Sequence, residues 1–179
     1  MVASTAFIAA AAASGALSTV YGSVLLLALL LSWCGDLLLL SGRKRMFLGG
    51  LAVFLLAHIA YGAAFVTLGV AKVPLLVALV CALAPLPFVL AWLWPHLGAM
   101  RWPVLAYMLA ISVMVVLAGG TAGNGAYGLV LSGAVLFYIS DIFVARERFV
   151  GRSDANRLAG LPAYYAAQLL LAASVEHAR

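Results

Sequence analysis

The sequence predicts an all-α fold: a polytopic transmembrane bundle of about seven helices, forming one domain over residues 1–179 with nothing appended. Three observations carry this. Of the 179 residues, 67% are hydrophobic and 8% charged, with a mean hydropathy of +1.19, more apolar side chain than a soluble domain can keep from water. The apolar residues fall in continuous runs rich in Leu, Ala and Gly, most of them long enough to cross a bilayer as a helix, whereas a transmembrane β-barrel would show alternating segments of ~10 residues. The basic residues gather between the runs, on alternate sides.

The runs are Ser4–Leu17, Tyr21–Leu40, Phe47–Leu68, Val73–Trp94, Pro103–Gly119, Tyr127–Ala145 and Asn156–Val175. The first is short and largely Ala, below the ~17–25 residues of a usual span. A signal peptide is an alternative there, although no Lys or Arg precedes it. The second and third are uninterrupted. The fourth carries Pro74, Pro85 and Pro87, and the last two fall mid-helix, where proline removes an N–H and should kink or unwind the helix. The fifth to seventh are joined by the uncharged connector GGTAGNGA and by an arginine-rich one.

Arg43, Lys44 and Arg45 follow the second run, Arg101 the fourth, and Arg146, Arg148, Arg152 and Arg157 surround the connector after the sixth. Lys72 and Arg179 fall on the other side. The positive-inside rule makes the first side cytoplasmic, which suits a bacterial inner membrane. The net charge of +5 therefore reads as orientation in the membrane and not as nucleic-acid binding. Cys34 and Cys81 lie inside apolar runs and read as small buried hydrophobes, neither a disulfide framework nor a metal site.

Two aspartates interrupt this pattern, Asp36 in VLLLALLLSWCGDLLLL and Asp141 in GLVLSGAVLFYISDIFV. Asp at a helix centre costs about 2.5–3.5 kcal/mol on insertion, so an acid there marks a functional site by default. Each lies about five residues from the cytoplasmic end of its run, roughly 7 Å deep. Two carboxylates at matched depth can face one cavity open to the cytoplasmic leaflet. The plain alternative is a salt bridge from each to a nearby arginine, Arg43 or Arg146.

On the third run Phe54, His58 and Tyr61 share a face at i, i+4 and i+7. On the seventh, Gln168 lies one turn from Tyr164 and Tyr165; on the sixth, Gly133, Phe137 and Asp141 form an i, i+4, i+8 stripe with Ser140 beside them. These side chains serve either as interhelical packing and hydrogen bonding or as cavity lining, with His58 and Gln168 expected to face one interior cavity. One intramembrane His without a Cys cluster does not supply the three or four ligands a zinc ion needs. The sequence has no G-x-S-x-G elbow and no phosphate-cradling Gly-rich loop with its lysine.

WCGDLLLL (Trp33–Leu40), FLGGLAVFLLAHIAY (Phe47–Tyr61), GAVLFYISD (Gly133–Asp141) and YYAAQ (Tyr164–Gln168) together resemble the lysoplasmalogenase, or YhhN-like, family of integral membrane proteins. That family is described with eight spanning helices, so on this resemblance the chain starts late, one helix short. The resemblance implies a hydrolase that cleaves the vinyl ether of lysoplasmalogens to a fatty aldehyde and a glycerophospho-ethanolamine or -choline. It makes Asp36 and Asp141 the catalytic candidates, with Phe54, His58, Tyr61, Phe137, Ser140, Tyr164, Tyr165 and Gln168 as candidates for the substrate pocket. The partners implied are a lysophospholipid and membrane lipid.

The residues suit this chemistry by themselves. Vinyl ethers are acid-labile: protonation at carbon gives an oxocarbenium ion that water captures. One protonated carboxyl and one ionised carboxylate meet that need, as in glycosidases, and two neighbouring acids in a low dielectric divide the roles in this way. No metal or organic cofactor is called for. Other lipid hydrolases, such as an amidase or esterase, would need a nucleophile or metal. A proton-coupled transporter would use the same acids as proton carriers, although no internal repeat is evident.

Overall fold

A computed structural model describes residues 2–41 and 43–178; Arg179, one of the basic residues expected on the far side, lies outside them. Among the described residues there are eight α-helices and no strand: α1 (Val2–Ala13), α2 (Val20–Leu39), α3 (Lys44–Thr67), α4 (Lys72–Leu83), α5 (Leu86–Leu97), α6 (Arg101–Gly120), α7 (Tyr127–Ala145) and α8 (Leu161–His177). The difference from seven runs arises in the fourth, which breaks at Ala84–Pro85 into α4 and α5. Each piece has 12 residues, about 18 Å, and neither crosses a bilayer alone. Pro85 and Pro87 cannot donate to the helical ladder, which is the physical reason for the break.

Together the two pieces make one bent crossing. Ala71, just before α4, donates its N–H to the Gly120 carbonyl at 2.8 Å, so α6 returns to where α4 began. Val20–Leu39, Lys44–Thr67, Tyr127–Val150 and Asn156–His177 are each long and apolar enough to cross a membrane, as is the folded-back stretch Lys72–Gly120. α2 lies along α3, α7 along α8, and α6 packs against α3, α4 and α7. α1 runs antiparallel to α2 and fits between α2 and α8.

Every described basic residue of the connectors after α2, α5 and α7 is brought to one end of the bundle, here the basic end. Arg101 stacks 5.0 Å over Trp94 there. The main core holds Leu25, Tyr61, Phe65, Met114, Phe137 and Leu171, none more than 1% exposed. A smaller cluster, with Leu93, Val104 and Met108, joins α5 to α6. Gly133 meets the sequence expectation of close helix approach: a Cβ there would stand 2.8 Å from Leu171 Cγ and 3.2 Å from the Ala167 carbonyl oxygen of α8.

Cys34 and Cys81 correct the sequence reading, because both are exposed. Cys34 shares the outward face of α2 with Leu30 and Leu37, and Cys81 that of α4 with Val77 and Val80. They are apolar residues turned toward lipid.

Candidate active site

A cavity of about 670 Å³ lies between the two hydrophobic clusters and opens at the basic end. Asp36, from α2, and Asp141, from α7, both line it. The reason they converge is local. Asp36 lies three residues before the end of α2 and Asp141 four before the end of α7, and both helices run toward the same end. Neither acid takes the arginine partner of the plain alternative. Among the described residues Arg157 pairs with Asp154, while His58 stands beside Asp141 and would form an ion pair with it only when protonated.

Asp36 is held by hydroxyls. Its Oδ2 accepts from Ser4 Oγ at 2.6 Å and from the Tyr164 hydroxyl at 3.0 Å. The Tyr164 oxygen in turn accepts from Gln168 Nε2 at 3.1 Å, and Gln168 Oε1 accepts from the Tyr61 hydroxyl at 2.6 Å. A buried chain thus runs Tyr61–Gln168–Tyr164–Asp36 across α3, α8 and α2. Such chains fix side-chain positions because each member polarises and orients the next.

Asp141 has a different setting. Its Oδ2 accepts from the Tyr107 hydroxyl at 2.7 Å, and the His58 Nε2 stands 3.6 Å away, beyond hydrogen-bond length. The His58 side chain is fully buried, and neither ring nitrogen has a hydrogen-bond partner among the described residues. Its ring packs edge-on against Tyr107 and Phe137, with centroids 5.1 and 4.8 Å apart. Among the described residues no three of His, Cys, Asp and Glu are grouped as a metal would require.

Of the residues singled out in the sequence, Phe54, Ser140, Tyr164 and Tyr165 line the cavity with the two acids. His58, Tyr61, Phe137 and Gln168 do not. This corrects the expectation that His58 and Gln168 face the cavity directly. They form a layer behind it, His58 beside Asp141 and Gln168 behind Tyr164, because Phe54 and Tyr164 close the wall in front of Phe137 with edge-to-face contacts of 6.2 and 5.3 Å. Ser140 turns its hydroxyl back to the Phe137 carbonyl at 2.7 Å.

Ser4 and Tyr107 escaped the sequence reading. Ser4 sits in an Ala-rich run with no distinguishing pattern, and only the packing of α1 on α2 brings it to Asp36. Tyr107 had one available signal, as a lone tyrosine within an apolar run, one helical turn from Ile111 and Val104 on the buried face.

Among known protein families, the YhhN family matches residues 1–175. The chain is 36% identical over 155 residues to a lysoplasmalogenase of Mycobacterium bovis, covering 82% of this chain and 58% of that protein. It is 35% identical over 148 residues to lysoplasmalogenase TMEM86B of Sus scrofa, covering 83% and 61%, and 36% identical over 155 residues to that of Homo sapiens, covering 86% and 64%. The chain thus spans about three-fifths of the length of these curated relatives. No solved structure matches it at a significant level. With the match running from the first residue to Val175, through both aspartates and the helices that hold them, the chain belongs to the YhhN family.

Proposed function

We propose that this protein is a membrane hydrolase that cleaves the vinyl ether bond of lysoplasmalogens, with Asp36 and Asp141 as its acid/base pair. The observation that carries the reading is the convergence of two arginine-free carboxylates on one cavity, each fixed by a tyrosine hydroxyl. The names of the relatives support the substrate class.

The protonated member of the pair delivers its proton to the alkenyl carbon distal to the ether oxygen, leaving an oxocarbenium ion beside the ionised member. Water adds to the cationic carbon while that carboxylate takes the water's proton, giving a hemiacetal. In the collapse the newly protonated acid hands its proton to the departing glycerol oxygen, and the other carboxylate takes the hemiacetal hydroxyl proton. A fatty aldehyde and a glycerophospho-alcohol result, and both acids return to their starting forms. The exchange of roles within a pair is that of the glycosidases. By the positive-inside rule the cavity faces the cytoplasmic leaflet, reached from the inner leaflet of a bacterial cytoplasmic membrane.

Purified protein in detergent, given an alkenyl lysophospholipid, should release aldehyde and glycerophosphoethanolamine in equal amounts. Asp36→Asn and Asp141→Asn should each lower the rate by about 10²–10⁴-fold, the range for a positioned acid or base, while folding normally. Full activity of either variant would end the acid-pair mechanism. Loss of thermal stability with activity per folded molecule retained would return the acids to a structural role.

A further inference from the structure

The cavity mouth carries charge that the chemistry at the carboxylates does not use. The chain after α7 winds on through Arg146–Val150 as a wider, π-helical turn, closed by the Gly151 N–H on the Arg146 carbonyl at 3.0 Å. A second such turn, Asn156–Gly160, leads into α8. Turns of this kind are frequent at functional sites. From the first, Glu147 and Arg148 join the cavity wall, and Arg152 joins it from the connector.

The other arginines of this connector are engaged elsewhere, Arg146 with the Ser153 hydroxyl and Arg157 with Asp154 at 3.5 Å. Arg148 lies 4.4 Å over the Phe47 ring, a stacking that orients a guanidinium and leaves its charge unneutralised. Among the described residues neither Arg148 nor Arg152 is paired with a carboxylate, and Glu147 is not paired with a cation. Two positive groups and one negative group therefore stand free on one rim.

Arg148 follows Asp141 by seven residues along the continuing helical path, so it lies roughly 10 Å nearer the mouth. In a lysophospholipid the chain-bearing oxygen and the phosphate sit at opposite ends of a three-carbon glycerol. A phosphate at the rim places the chain-bearing oxygen toward the carboxylates, with Leu93, Val104 and Met108 as the apolar wall for the chain.

We propose that Arg148 and Arg152 bind the phosphodiester of a lysophospholipid head group at the cavity mouth, with Glu147 receiving its ammonium. The site selects a zwitterionic glycerophospholipid over a phosphate-free lipid of the same chain. This rests on the substrate class proposed above, and the test reads binding separately from turnover.

The ligands are a saturated-ether lysophosphoethanolamine, which has no vinyl ether to cleave, and the alkylglycerol of equal chain length. Both are titrated against full-length protein in detergent by tryptophan fluorescence. Wild type should bind the phospholipid at least tenfold more tightly, the scale of one charge-assisted contact. The double variant R148Q/R152Q should lose that preference, and R148K/R152K should keep part of it, since lysine retains charge but not the guanidinium fork. E147Q should lower the preference for phosphoethanolamine over the matching phosphate monoester, and R157Q, outside the cavity, should change nothing.

An undiminished preference in R148Q/R152Q, or in the lysine variant if the first does not fold, overturns the proposal. So does competition by millimolar inorganic phosphate that matches competition by the lipid, which would mark a free-anion site. Aldehyde release tested in parallel keeps the two claims apart: a preserved preference without turnover sinks the hydrolase reading alone, and turnover without preference sinks the head-group site alone.

Discussion

Tyr164 and Tyr61 carry the same hydroxyl at two places along one hydrogen-bonded chain, and replacing each by Phe separates catalysis from scaffolding. Tyr164→Phe removes the 3.0 Å donor to Asp36 and strips Gln168 Nε2 of its acceptor. A hydrogen bond to a charged group contributes about 1.5–3 kcal/mol, so kcat/KM should fall roughly 10- to 150-fold, at 1.4 kcal/mol per factor of ten. Tyr61→Phe removes the 2.6 Å donor to Gln168 Oε1, two links away from the carboxylate. It leaves one neutral buried acceptor unpaired, about 1–3 kcal/mol of stability, and should lower activity per folded molecule no more than about threefold. The assays are aldehyde release and thermal unfolding of the same detergent preparations. Equal activity losses in the two variants, or a Tyr164→Phe enzyme with unchanged kcat/KM, would refute the assignment of the chain as a positioning device for Asp36.

Two further outcomes follow from the same geometry. A Cβ on Gly35 would stand 2.6 Å from the Phe54 ring, which is itself held edge-on by Phe137 and Tyr164; Gly35→Ala should therefore cost about 1–3 kcal/mol by overpacking, read as a lower Tm, and raise KM by moving a cavity wall. The wild-type rate should trace a bell in pH, losing the ionised base on the acid side and the protonated acid on the alkaline side, and should survive chelators; a single-limbed profile or inhibition by EDTA would contradict the acid pair.

Composition and run length were enough to read the bundle, because a bilayer accepts few other folds from so apolar a chain. The break of the fourth run was legible in Pro85 and Pro87, but whether it gives a kink or two helices depends on how α4 and α5 each pack on α6. Asp36 and Asp141 stood out by the cost of burying them, and their matched depth followed from helical rise alone. What one-dimensional spacing could not give was rotation about each helix. Phe54, His58 and Tyr61 share a face by periodicity, yet only Phe54 reaches the cavity, since aromatic neighbours cover the other two. Ser4 and Tyr107 were missed for a related reason. Their roles exist only through contacts with carboxylates 32 and 34 residues away; Ser4 carries no burial anomaly that would flag it, and the lone tyrosine at 107 marks its position but not its partner.

His58 poses the sharpest remaining test. A fully buried imidazole with neither nitrogen in a well-formed hydrogen bond costs stability, on the order of 1–3 kcal/mol, and such a cost calls for a reason. The ring lies 3.6 Å from Asp141 Oδ2 and packs edge-on against Tyr107, the donor to that same oxygen. We expect His58 to act as a positioning residue that holds Tyr107 and offers Asp141 a second polar neighbour as its protonation changes during the cycle. His58→Phe fills the same space without polar atoms, so it should raise Tm while lowering kcat about tenfold. It should also shift one limb of the pH profile, a readout that packing alone would not move. His58→Gln, which keeps a polar group within reach of Asp141, should recover part of the rate. A His58→Phe enzyme that is more stable, equally fast and unchanged in its pH profile would show the imidazole to be core packing and nothing more.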